Sequence, residues 1–175
     1  MVGGNNHKLH FVSCTGDTTV NLLDFTKPDN QINAIAEGTA TLATLSIGGN
    51  DVLFGPIVKS CIYNAPKSGD CTEHKQNGLR TLYGREFFDR YNTVLDKIVT
   101  GKLRFGDTGP LYTKLYQTSY IQFFDDWTDE CNNRAFTGWT FAPGMTKAVR
   151  EEFNHMVHQL NEASLLHTKY VQYER

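Results

Sequence analysis

Asn50 and Asp51 close the run Leu45-Ser46-Ile47-Gly48-Gly49-Asn50-Asp51, in which an apolar stretch ends in two glycines, a side-chain amide and a carboxylate. Buried strands that lead into polar sites end this way. Thr41 to Ile47 is rich in β-branched and aliphatic residues and reads as a fully buried strand of a parallel sheet. Gly48 and Gly49 break it, and Asn50 or Asp51 then caps a helix continued by Val52, Leu53, Phe54, Ile57 and Val58. Ligands of open α/β sheets sit at the carboxyl ends of strands, so the Asn50 amide would project its donors into such a crevice. Helix cap and ligand donor are both readings of Asn50. Asp51 reads as support for the turn and the helix N-terminus, where negative charge is favourable. Gly16, which follows the stretch Leu9 to Cys14, permits a turn with positive φ.

Two other clusters have a chemical and a structural reading. Glu151, Glu152, His155 and His158 lie at helical spacing, as metal ligands or as a solvated helix face. His155 and His158 flank the core positions Met156 and Val157, which favours the solvated face, and no metal or cofactor is expected. Trp127, Trp139, Phe136 and Phe141 line an acyl pocket on one reading and pack as ordinary core or loop residues on the other, which is the default.

Two motifs, in order and a helix-length stretch apart, carry a family resemblance. The segment ending Gly49-Asn50-Asp51 resembles the third sequence block of the SGNH (GDSL-type) esterases and lipases, whose asparagine is a donor in the oxyanion hole. Phe11-Val12-Ser13-Cys14-Thr15-Gly16-Asp17-Thr18-Thr19 is similar to the block of secreted fungal and bacterial members in which a strand ends in Cys-Ser-Gly-Ala-Thr-Thr, and whose glycine amide is a second donor. Further matches are Ser60-Cys61-Ile62-Tyr63, Phe123-Phe124 with Thr128-Asp129-Glu130-Cys131, and the late helix around Val149 to Leu166, so the resemblance spans nearly the whole chain. It implies acyl transfer: a serine alkoxide formed with histidine's help attacks an ester carbonyl, and preorganised donors hold the charge that develops on oxygen. Gly16 and Asn50 would be those donors. The substrate implied is a small-molecule, lipid or carbohydrate ester, and the setting is extracellular.

The attacking groups of that family are not in this sequence. None of Ser13, Ser46, Ser60, Ser68, Ser119 and Ser164 follows Gly-Asp, and no histidine stands three residues after an aspartate as in Asp-x-x-His. Gly16-Asp17-Thr18 aligns with the oxyanion block and Gly69-Asp70-Cys71 falls in a polar loop, so both match Gly-Asp-Ser by coincidence. The expectation is a single partial SGNH hydrolase-like domain over residues 1–175, cut at both ends and inactive alone. The alternative is a non-catalytic SGNH-like binding or structural domain.

An even number of cysteines, four, suggests a disulfide framework in an oxidising compartment. Cys61 and Cys71 flank a loop and read as a local pair, as the resemblance also implies. Cys14 and Cys131 are left without partners, or pair with each other, or stay as buried thiols. A net charge of −2 without a basic cluster lacks the footprint of a nucleic-acid surface. No stretch approaches the ~20 apolar residues of a membrane span. Met1 to Lys8 has no apolar core of signal-peptide type, so a secretion signal would lie in a missing N-terminus.

Elements that would position these residues alternate along the chain. Leu9 to Cys14 reads as a strand, Val20 to Ile35 as turn plus helix, Thr41 to Ile47 as the next strand and Asn64 to Asn77 as a loop. From Leu79 to Val99, Leu82, Phe88, Tyr91, Leu95, Ile98 and Val99 recur at helical spacing. Gly101 to Pro110 is a break, and Thr118 to Phe124 a third strand. Pro143-Gly144 precedes a long helix with a core stripe of Val149, Phe153, Met156, Val157 and Leu160, and Leu166 to Glu174 reads as a closing strand. This order implies an α/β, three-layer, flavodoxin-like SGNH hydrolase fold with a parallel sheet lacking its first, central strand. Its neighbours, Leu9 to Cys14 and Thr41 to Ile47, would then face each other with unpaired edges.

Overall fold

The computed structural model describes residues 8–103, 114–134 and 144–173, with side chains through residue 166. Helices dominate. In chain order they are α1 (Thr19–Leu23), α2 (Phe54–Ile57), α3 (Cys71–Leu82), α4 (Arg85–Asp96) and α5 (Lys147–Tyr173), with π-helical turns over Val58–Ile62 and Lys97–Lys102. Two strands, β1 (Leu42–Leu45) and β2 (Lys114–Gln117), pair in parallel with Leu42 opposite Lys114 and Leu45 opposite Gln117. The connection between them carries α2, α3 and α4, as a parallel pair requires a long crossover. The chain is thus of mixed α/β character around a two-stranded parallel sheet.

Period and punctuation explain the helices. The predicted helix over Leu79 to Val99 is two, because Tyr83 and Gly84 interrupt it; α4 buries Phe87, Tyr91, Val94 and Leu95, while Phe88 turns outward beneath the Arg85 guanidinium. Asp70 begins α3 by accepting from the Glu73 N–H at 2.7 Å, so the expected loop over Asn64 to Asn77 ends at Asp70. On α5, Phe153, Val157 and Leu160 are buried, with Val149 and Met156 at the rim. Leu160 joins a core with Ile47, Val52, Leu82, Tyr91 and Leu95; Phe153 joins a second with Ile57, Ile62 and Met145.

Three strand assignments are corrected. Leu9 to Cys14 forms no strand: among the described residues nothing pairs with it, and Leu9 and Phe11 are 87% and 81% exposed. Thr118 to Phe124 lies beyond β2 and forms no strand: the Thr118 N–H still bonds the Leu45 carbonyl at 2.9 Å, but from Tyr120 onward the backbone is tied to side chains and not to a ladder. Asn161 accepts from the Tyr120 N–H and donates to the Tyr120 carbonyl, both at 2.8 Å, and Asn154 does the same for Phe124 at 3.2 and 2.8 Å. Leu166 to Tyr173 continues α5, since no glycine or proline follows Gly144 to stop the helix; Glu174 lies outside the described residues. The strand at Thr41 to Ile47 is shorter than expected and half-buried, with Leu42 and Thr44 exposed and Ala43 and Leu45 sheltered. The part of Gly101 to Pro110 after Leu103 also lies outside the described residues.

Cys61 and Cys71 form a disulfide that ties the first π-helical turn to the start of α3. Cys14 and Cys131 are free and exposed, neither paired with each other nor buried. Among the described residues no helix is long and apolar enough to cross a membrane.

Candidate functional site

Ile47 and Gly48, both buried, carry β1 into a tight turn. Gly48 has φ 110°, and a Cβ there would stand 3.3 Å from the Phe87 ring, so conformation and space both call for glycine. Bonds from Val52, Leu53 and Phe54 N–H to the Gly48, Asn50 and Gly49 carbonyls close the turn, and the Gly49 N–H donates to the Tyr120 hydroxyl at 3.1 Å. Leu53, at φ 61°, takes a left-handed conformation unusual for leucine. That reversal sends Val52 into the core and leaves Asn50 exposed.

Neither Asn50 nor Asp51 caps the helix that follows. Residue 53 is the N-cap of α2 and makes no side-chain cap bond. The Asn50 amide donates instead to the Asp17 carbonyl at 3.0 Å. Asp51 reaches the start of α1, accepting from the Thr19 N–H at 3.0 and 3.2 Å and from its hydroxyl, to which the Arg90 Nε–H also donates at 3.2 Å. Asp51 therefore supports a helix N-terminus, but that of α1. Burial pushes its pKa upward, against the Thr19 hydrogen bonds and the nearby Arg90 charge.

The other partner in this arrangement is the turn at Thr15-Gly16. Gly16 has φ 91° with open space where a Cβ would be, so its backbone geometry alone calls for glycine. Asp17, next in the chain, is pinned by Lys27 at 2.8 Å and Gln31 at 2.7 Å; its pKa is lowered first by the Lys27 hydrogen bond. The Asn50 amide is thus docked one residue from Gly16, across 34 positions of sequence (50 minus 16). An amide nitrogen carries two donors, of which the Asp17 carbonyl takes one. The Gly16 N–H donates to no described residue. This places one side-chain amide donor against the Gly16 turn, just after the end of β1.

One serine meets a histidine elsewhere. Ser60 Oγ lies 3.1 Å from His74 Nδ1, beside the disulfide. Ser60 is buried, and its hydroxyl also lies 2.9 Å from the Pro56 carbonyl, the usual back-bond of a helical serine. With its single proton given to the Pro56 carbonyl, the hydroxyl does not offer that proton to His74, as a serine paired with a general base would. The sequence reading missed this pair; nothing in the spacing of Ser60 and His74 announces it.

The remaining candidates are structural. Glu151 lies 3.9 Å from Lys147 and His158 3.4 Å from Glu162, both within α5, while Glu152 bridges to Lys75 of α3 at 2.7 Å. Among the described residues no group of His, Cys, Asp and Glu could hold a metal ion. Trp127 is 86% exposed and is not among the side chains that line the apolar pocket between α2, α3 and α5; Trp139, Phe136 and Phe141 lie outside the described residues. Asn154 and Asn161 were also missed, although two amides seven residues apart beside the stripe positions Phe153 and Leu160 are a legible signal.

Comparison with protein-family models, with curated proteins and with solved structures finds no match to this chain.

Proposed function

We propose that this chain carries the oxyanion-binding part of a secreted carboxylic-ester hydrolase of SGNH type, with Gly16 N–H and the Asn50 amide as donors. The single observation that carries the reading is the contact of the Asn50 amide with the Asp17 carbonyl, which holds two sequence-distant donor motifs against each other at the end of β1. Acyl transfer needs donors fixed before charge develops on the carbonyl oxygen, and an amide already tethered by one hydrogen meets that need with the other. Neither a Gly-Asp-Ser serine nor an Asp-x-x-His histidine occurs in residues 1–175, so the proposal assigns both roles to flanking sequence. The Cys61–Cys71 disulfide supports an oxidising, extracellular setting.

The test uses the polypeptide encoded with its flanking genomic sequence. If that sequence supplies Gly-Asp-Ser upstream and Asp-x-x-His downstream, a fluorophosphonate probe labels the upstream serine, and residues 1–175 alone stay unlabelled. In the longer protein Asn50→Ala lowers kcat on p-nitrophenyl butyrate by about 10²–10³, with KM little changed. Labelling of a serine within residues 1–175, or an Asn50→Ala variant of full activity, overturns the proposal. Flanks lacking both motifs would turn the reading to a non-catalytic binding domain.

A further inference from the structure

Between α2, α3 and α5 lies a pocket of about 30 Å³, lined by apolar side chains and Gly78 alone. Val52, Leu82 and Leu160 form its buried wall, while Leu79, Met156 and Phe54 are half-exposed at its mouth. Phe54 has a second neighbour: its ring stacks on that of the exposed Phe123 with centroids 4.9 Å apart. Phe54 thus joins the pocket wall to an exposed ring. The loop that presents Phe123 is held firmly, since Asn154 clamps the next residue by both its N–H and its carbonyl.

From these features we infer that the pocket and the Phe54–Phe123 pair form a binding site for one straight alkyl chain. Water gains no partner in a pocket without polar side chains, so an apolar occupant is favoured. The volume matches about two water-sized groups, which admits the terminal carbons of a chain and excludes an aromatic ring or a peptide side chain of larger section. The rest of the chain would lie along the two stacked rings. Met156, unbranched and adaptable, suits a wall that closes on chains of different length. No cation or carboxylate lines the pocket, so the head group is left to solvent and does not select. Val52 and Phe54 follow Asn50 by two and four residues, on the same turn that holds the amide. Resting on the function proposed above, this makes the favoured substrates esters with a straight chain of several carbons and not acetyl esters.

Binding is measured without any ester chemistry, so its failure and that of the hydrolase reading are separable. Residues 1–175 are titrated with 1-butanol, 1-hexanol and 1-octanol, followed by NMR of the Leu, Val, Ile and Met methyl groups. Saturable shifts at Leu79, Leu82, Met156 and Leu160 are expected, with affinity rising for each methylene added, by less than the ~4-fold that full burial would give, because part of the chain lies on exposed rings. Leu79→Trp, at the half-exposed mouth, should weaken octanol binding by at least tenfold, and Met156→Phe serves as an independent plug if the first variant fails to fold. Absence of saturable binding, equal affinity for butanol and octanol, or unchanged affinity in a folded plugged variant overturns the site. Octanol binding that both plugs abolish supports it even where the fluorophosphonate experiment fails.

Discussion

Asp51 illustrates how one side chain can be misassigned by its neighbours in sequence and explained by its neighbours in space. Its position after Gly-Gly marks a cap of the helix that follows, yet the helix whose N-terminus it supports begins 32 residues earlier at Thr19 and is capped by Thr18. Removing the carboxylate leaves the N–H of the fully buried Thr19 without an acceptor. Asp51→Ala should therefore cost about 1–3 kcal/mol in urea unfolding. Asp51→Asn keeps one acceptor and should cost less. The two differ in pH dependence as well. The folded-state pKa of Asp51 lies above its ordinary 3.8, so between those values the folded protein binds the proton that the unfolded chain does not. As pH falls from neutral through that window, wild type gains stability relative to Asp51→Asn. A difference that is flat with pH, or of opposite slope, would show that the carboxylate is not desolvated. Asn50, by contrast, was legible as a polar donor at a strand end, because Gly48-Gly49 after β-branched residues can do little else; its contact with residue 17 was not, because no local pattern encodes a bond across that distance.

At the scale of elements, periodicity located α4 and α5, but most of α3 fell in the segment read as a loop and α1 is far shorter than the helix expected over Val20 to Ile35. Phe87, Tyr91, Val94 and Leu95 pack as a 3.6-residue stripe must, and α5 was legible from Phe153, Val157 and Leu160. Strands fared worse, since an alternating segment announces extension but not its partner: 120–124 found two asparagine amides, and Leu9 to Cys14 found no strand partner among the described residues. The disulfide is the element-level feature most open to measurement. Closing the loop between Cys61 and Cys71 restricts the unfolded chain, so Cys71→Ser, with Cys61→Ser to avoid a new thiol, should lower stability by about 2–3 kcal/mol. Denaturant unfolding of both forms under non-reducing conditions gives the difference. The loss should fall on the junction of α3 with the first π-helical turn, read as earlier exchange of the Glu73 amide.

For the whole molecule, the described surface leaves much apolar area uncovered. Leu42 and Tyr116 stand on the open face of the two-stranded sheet, 58% and 52% exposed, and both strands lack a further neighbour among the described residues. Parallel sheets are ordinarily covered on both faces, and bare edges pair with other chains. Residues 1–175 should thus self-associate as concentration rises, seen by light scattering. Cys14 and Cys131, both exposed, should convert part of that association to covalent dimers on a non-reducing gel. Cys14→Ser together with Cys131→Ser should abolish the covalent species and leave the scattering; a monomeric double variant would assign the association to the thiols alone.

The amides of Asn154 and Asn161 carry one last consequence. They grip the backbone at Phe124 and Tyr120 by both donor and acceptor, from a helix whose Phe153 and Leu160 are rooted in the two separate cores. A surface loop ordinarily exchanges its protons in isolation; here the Tyr120 and Phe124 amides can open only when α5 lets go. Their protection in hydrogen exchange should equal that of the Phe153 and Leu160 amides, so that two positions in irregular backbone report the lifetime of a helix to which they do not belong.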